Sequence, residues 1–261
     1  MTERAEIAVF SDASPRVRIV GVDRPWLWLA RGWEDMRRAA RVSFAWSLGF
    51  VIVGAALIGG LAVFGVYEAI LPLAAGFPLV APILVVGLYA VSRSLERGDP
   101  VGFKTPLAAW KRNAGELGLI GLVLGFFMLA WLRIAMLAFA WFFGTAHFTA
   151  AEFLTQVVFS GANFAFLLLG TAIGAVLAAI VFAISAVSVP MLLDRDVGVF
   201  TAIATSVAAV RANPRPMLLW AVLIALFIGA GLLFALVGLV LTLPLIAHAT
   251  WHAYRDLVAR D

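Results

Sequence analysis

The stretch LGLIGLVLGFFMLAWLRIAMLAFAWFF, residues 117–143, contains one charged residue, Arg133, in 27 positions. A helix needs about 20 residues to cross a hydrocarbon core of ~30 Å, so this segment is long enough to span a bilayer. Three more runs of the same kind follow from the pattern, at 44–64, 69–91 and 164–189. A last apolar stretch covers 217–247, which as one helix would be roughly 46 Å long, too long for a bilayer without steep tilt. Broken near 235–238 and extended to 254, it reads as two spans, 217–235 and 239–254. The expected fold is therefore all-α, a polytopic transmembrane helical bundle of about six spans. Residues 1–24 read as an N-terminal tail and 25–261 as a single membrane domain.

Composition agrees. The 261 residues are 64% apolar and 13% charged, against about 45–50% and about 25% in soluble domains. No soluble core of this size can hide that surplus. With no cysteine, disulfides, thiol chemistry and Cys-ligated metal centres are excluded. Residues 1–20 hold no uninterrupted apolar core of a signal peptide, so none is expected.

The net charge of +4 does not mark a nucleic-acid binder, because the basic residues form no face on a folded domain. They sit between the apolar runs. With six spans, 18 of the 19 Lys and Arg residues fall on one side, which the positive-inside rule assigns to the cytoplasm. Five spans would move Arg255 and Arg260 across. Both termini are thus expected in the cytoplasm, with the lipid bilayer and other membrane proteins as partners and no nucleic acid.

A faint repeat accompanies the spans. L-A-R-G-W at Leu29 recurs as L-E-R-G-D at Leu95 and L-D-R-D-V at Leu193, aligning Arg31, Arg97 and Arg195. Each copy precedes a short amphipathic segment, 33–43, 103–113 or 200–213, and then a pair of apolar runs. The unit is an interfacial helix followed by a transmembrane hairpin, three times over. In the third segment Phe200, Ile203, Val207 and Val210 form an apolar stripe at helical spacing, suited to lying along a membrane surface. Trp26, Trp28, Trp33, Trp46, Trp110 and Trp220 flank the spans and are expected at the headgroup level as anchors.

Few residues could carry chemistry. Arg133 is the one basic residue inside a span, and its cost there makes it a functional candidate. It either binds an anion, pairs structurally with Glu68 or Glu152, the two acids on its side, or snorkels outward. His248, His252 and Asp256 stand at i, i+4 and i+8 on one helix face. That spacing suits a metal chelate with a carboxylate nearby, or a polar cap that bonds neighbouring loops. A single haem cannot take both axial ligands from adjacent turns of one helix. Gly170 and Gly174 form a small-residue seam for helix packing. No Ser-His-Asp set or phosphate-binding glycine loop occurs, so no enzyme activity and no cofactor are expected.

The stretches PWLWLARGWEDM from Pro25, VPMLLDRDV from Val189, RANPRP from Arg211 and HATWHAYR from His248 carry a resemblance. The chain resembles the uncharacterised bacterial integral membrane proteins grouped as domain of unknown function 2189. The resemblance implies a bacterial inner-membrane protein of about six helices with no established activity. Three functions stay open: a non-enzymatic organising, assembly or interaction protein, a small-solute transporter or channel, and a metal- or haem-binding respiratory accessory.

Overall fold

The structure, a computed structural model, describes residues 16–144, 148–234 and 236–259. The helices in chain order are α1 (Arg24–Arg38), α2 (Ala40–Val63), α3 (Ile70–Leu84), α4 (Val86–Arg97), α5 (Lys104–Arg112) and α6 (Ala114–Phe143). They continue with α7 (Ala150–Glu152), α8 (Phe164–Ser185), α9 (Ser188–Asp194), α10 (Val199–Ala212), α11 (Pro214–Leu233) and α12 (Leu239–Leu257). Among the described residues the only β pairing is the isolated bridge Val17–Val258. The fold is an all-α polytopic helical bundle.

Three units of one plan make up the chain. In each, a short helix meets a long apolar helix at a single non-helical residue, and a second long stretch returns. The junctions are Ala39 between α1 and α2, Asn113 between α5 and α6, and Asn213 between α10 and α11. Asn113 and Asn213 share nearly the same backbone geometry, φ −143°, ψ 55° and φ −127°, ψ 55°. The returns are α3–α4, α8–α9 and α12. In the second return Pro190 has no N–H for the carbonyl of Ala186, four residues back, and the helix breaks at 186–187. Ser206 of α10 fills the gap: it accepts from the Val187 N–H (3.1 Å) and donates to the Ala183 carbonyl (2.8 Å). Irregular backbone at depth is tolerated where protein satisfies it in this way.

Several expectations are corrected. The first short helix is not 33–43 but Arg24–Arg38, and that segment straddles the α1–α2 junction. Pro25 opens α1, a position where its missing N–H costs nothing. In α10 the inward face is Val199, Ala202, Thr205, Ser206 and Ala209, whose small side chains let the helix approach α8 and α9. Of the apolar stripe only Phe200 is exposed; Ile203 and Val210 are partly buried against the core. Trp28 and Trp220 are not interfacial anchors but fully buried, packed edge to face at 5.7 Å. Trp26 and Trp33 remain exposed on α1. Of the small-residue seam, Gly174 faces the Trp131 ring, while a side chain at Gly170 would meet nothing within 4 Å.

Among the described residues, five helical stretches are long and apolar enough to cross a membrane: Ala40–Val63, Tyr67–Arg97, Ala114–Phe143, Phe164–Asp194 and Pro214–Leu233. The sixth expected span, α12, does not qualify by composition, because its second half carries His248, His252, Tyr254, Arg255 and Asp256. It is nevertheless 19 residues long, about 28 Å. It turns back from α11 through a tight connection in which Leu236 takes φ 67° and Gly238 sits against the Gly231 backbone. The described ends of the chain lie side by side. Arg18 N–H donates to the Leu257 carbonyl at 2.8 Å, and Ala259 N–H to that of Arg16 at 2.9 Å.

Candidate functional site

The second half of α12 is where the three units meet. Its first half, Leu239 to Ala247, is apolar; from His248 onward nearly every polar side chain finds a partner on another element. Trp251 donates its indole N–H to Glu96 Oε2 at 3.1 Å. Arg255 donates from Nε and Nη2 to Glu96 Oε1 (3.2 and 3.0 Å) and from Nη1 to Asp194 Oδ2 (3.0 Å). Tyr254 donates its hydroxyl to Asp194 Oδ2 (2.9 Å) and accepts from Arg195 Nε (3.2 Å). Asp256 accepts two bonds from Arg24, both 2.7 Å, and one from the Trp28 indole at 2.9 Å. The Arg255 guanidinium also lies 5.9 Å from the ring centroids of Trp251 and Tyr254.

These partners share a sequence feature. An acid–arginine dipeptide precedes the short helix or opens it in every unit: Asp23-Arg24, Glu96-Arg97 and Asp194-Arg195. A member of each pair grips the segment 251–256. Asp194 is the busiest, with Arg93 Nε at 3.0 Å, Arg97 Nη2 at 3.6 Å and Arg255, while its backbone carbonyl accepts from Arg112 at 3.1 Å. Only 10% of the Asp194 side chain is exposed, so these are not the solvated surface pairs that contribute little.

A second buried network runs beneath. His248 is fully buried, with Ser43 Oγ 2.9 Å from Nε2 and Ser92 Oγ 2.7 Å from Nδ1. One turn on, His252 Nε2 lies 2.8 Å from Asp35 Oδ2. Burial opposes ionisation of Asp35, but the His252 hydrogen bond and charge outweigh it and hold its pKa below the ordinary value. Asp256 follows the same logic: burial raises its pKa, the Arg24 and Trp28 bonds lower it further, and the net shift is downward. The close approach of α1 makes this possible. A Cβ at Gly32 would stand 2.6 Å from the Ala249 nitrogen, so only glycine fits there.

Two cavities open at this end. One, of about 510 Å³, is walled by α1, α4 and α12 and includes Arg24, Arg31, Asp35, Ser92, His252 and Asp256. The other, of about 340 Å³, lies among Arg93, Arg97, Asp194 and Trp251. Glu96 and Arg255 border both, so their ion pair is the partition. The chemistry on offer is anion recognition by guanidinium groups. Ser43 and Ser92 are buried and committed to His248, so neither presents a free nucleophile.

The residues singled out from sequence are thus distributed unevenly. His248, His252 and Asp256 do share a helix face, but each is held by its own partner, and both His248 ring nitrogens are engaged. No cluster of three or more metal-capable side chains occurs among the described residues. Arg133 is exposed on α6, lines neither cavity, and makes no ion pair among the described residues. Glu152 instead accepts from the Thr149 N–H and hydroxyl at 2.8 and 2.9 Å. Arg97 and Arg195 join the cluster on α12, while Arg31 lines the larger cavity. In the first unit it is Arg24, not the aligned Arg31, that bonds α12. Missed altogether were Asp35, Glu96 and Asp194, although the last two stand immediately before arginines of the repeat.

Five apolar spanning helices and a polar latch at one end define an integral membrane protein of the polytopic helical class. Residues 70–194 match the model of a family described as predicted integral membrane protein (DUF2189). That segment covers α3 to α9, a narrower match than the motifs at both ends suggested. No curated protein and no solved structure matches the chain.

Proposed function

We propose that the chain is a non-enzymatic membrane protein that organises or assembles other membrane proteins, presenting a rigid charged platform on one side of the bilayer. The observation that carries this reading is the convergence of all three units on 251–256. Ion pairs and indole bonds from α1, α4 and α9 fix the short helices α1, α5 and α10 relative to one another. A surface so held loses little entropy on meeting a partner. The side is the cytoplasmic face of a bacterial inner membrane, with six crossings. The distribution of 18 of 19 basic residues supports this. So does the pairing of Arg18 with Leu257, since ends on one side go with an even number of crossings, α12 being the sixth on this reading.

Reporter fusions after Glu152 and after Ala259 are expected to report opposite sides; the same side for both refutes the topology. Cross-linking in native membranes followed by affinity purification tests the role. A membrane-protein partner is expected with the native chain and lost with Asp194→Ala. Recovery of the chain alone overturns the organising role.

A further inference from the structure

We propose that the larger cavity is a binding site for a phosphate-bearing anion, gripped by Arg18 and Arg31. The charges lining this cavity do not cancel. Arg24 is spent on Asp256, Arg255 on Glu96 and Asp194, and Asp35 on His252. What remains is Arg18, Arg31 and Arg38 against Glu34, which Arg38 approaches only to 4.0 Å. Arg18 and Arg31 make no ion pair among the described residues. The nearby carboxylate of Asp256 attracts Arg31 electrostatically but makes no hydrogen bond to it, taking three bonds from Arg24 and Trp28 instead.

Two unspent guanidinium forks beside a cavity of about 510 Å³ match the shape and charge of a phosphate, which accepts paired N–H bonds from arginine. The volume leaves room for a phosphate together with the glycerol or sugar it esterifies. Asp256 and Glu96 repel such a ligand less than free carboxylates would, because each is paired with an arginine. Beneath them the buried Ser92 closes the floor. On α1, Trp26 and Trp33 are 57% and 44% exposed, which puts the cavity wall at headgroup depth when α1 lies on the membrane. Basic pockets between helices at that depth hold lipid headgroups. Phosphate on a membrane lipid and phosphate in solution share this chemistry. The site rests on the reading above only for its position at the membrane surface.

The full chain in detergent is titrated with inorganic phosphate and with glycerol 3-phosphate at constant ionic strength, following thermal unfolding and heat of binding. It is then placed in phosphatidylcholine nanodiscs with and without phosphatidic acid. The expected result is saturable stabilisation by phosphate that weakens by at least about tenfold in Arg31→Gln and again in Arg18→Gln/Arg31→Gln. Arg211→Gln/Arg215→Gln, outside the cavity, keeps native binding. Stabilisation by phosphatidic acid beyond that by glycerol 3-phosphate assigns the headgroup source; the reverse assigns the soluble one. No stabilisation by any of them, or equal stabilisation in the double variant and the native chain, overturns the site. Should a glutamine variant fail to fold, heats of phosphate binding to Arg31→Lys decide, since lysine keeps the charge but loses the fork. The weakening is expected there too, and unchanged binding overturns the fork. The result is independent of topology, so a failed phosphate site leaves the six-crossing platform standing, and the converse also holds.

Discussion

The helices α8 and α12 differ sharply in how much of themselves they bury. In α8, FAFLLLGTAIGAVLAAIVFAIS, only Val181 and Ser185 are buried, and no side chain is charged. In α12 thirteen of nineteen residues are buried, among them His248, Thr250, Trp251 and Tyr254. Lipid tails are as apolar as leucine, so α8 gains little by hiding its side chains from them. A histidine or a carboxylate gains a great deal, because the bilayer offers it no hydrogen-bond partner. The chain is therefore held together at its polar end, while its apolar far end carries a cluster of phenylalanines, Phe139, Phe143, Phe148 and Phe166, with ring centroids 5.0–6.4 Å apart.

This contrast is breakable. The largest effect is expected from Asp194→Ala, which strips a common acceptor from Arg93, Arg97 and Arg255 and leaves the largely buried Arg93 without its carboxylate. A loss of about 3 kcal/mol or more is expected, read as a lowered unfolding temperature in detergent. Stability within experimental error of the native chain would show that the polar end is not the latch.

Two glycines sharpen the comparison. Gly32→Ala drives a methyl into the Ala249 backbone and is expected to cost about 1–3 kcal/mol. Gly170→Ala, where a Cβ meets nothing, is expected to change the melting temperature little. Equal effects from the two would erase the difference between the regions.

Acid should act chiefly on the polar end, because Glu152, the lowered carboxylate at the far end, is exposed. Asp35 and Asp256 have lowered pKa values in the folded protein, so their stabilisation is complete above the ordinary carboxylate range. It is lost as pH falls through the lowered values, below about pH 4. Near-ultraviolet circular dichroism, sensitive to Trp28 beside Asp256, is expected to fade there while far-ultraviolet helicity persists. Simultaneous loss of both signals would mean the two ends unfold as one unit.

The smallest effect is expected from Arg133→Leu, at the far end, with no change in melting temperature. A fall of several degrees would reveal a charged partner there and break the contrast from the other side.

How far the sequence could be read follows the same division. The apolar runs identified α2, α6, α8 and α11 because lipid selects composition directly, and the need to fit ~30 Å required the break near 235–238. Short helices α5 and α10 were visible as amphipathic segments ending at Asn113 and Asn213. The latch was not visible in the same way. His252 and Asp256 stood out by spacing alone, which cannot say that one meets Asp35 and the other Arg24, 217 and 232 positions away. Trp28 reads as an interfacial anchor by position, and only the arrival of α12 beside α1 turns it into a buried donor. Long-range pairing of this kind leaves no periodicity behind. Its one trace was the acid–arginine dipeptide, in which the arginine drew notice and the acid did more of the binding.

Because α12 follows every element it fastens, its place in chain order bears on how the protein is made. While the ribosome is still delivering the third unit, Glu96 and Asp194 have arginines beside them but not Arg255, and Arg24 waits for Asp256. Units emerging first are inserted without their common fastener, as half-finished domains generally are during synthesis. A chain stalled before Trp251 would expose misplaced carboxylates and guanidinium groups at the membrane surface, a mark by which proteolytic surveillance could distinguish unfinished copies from finished ones.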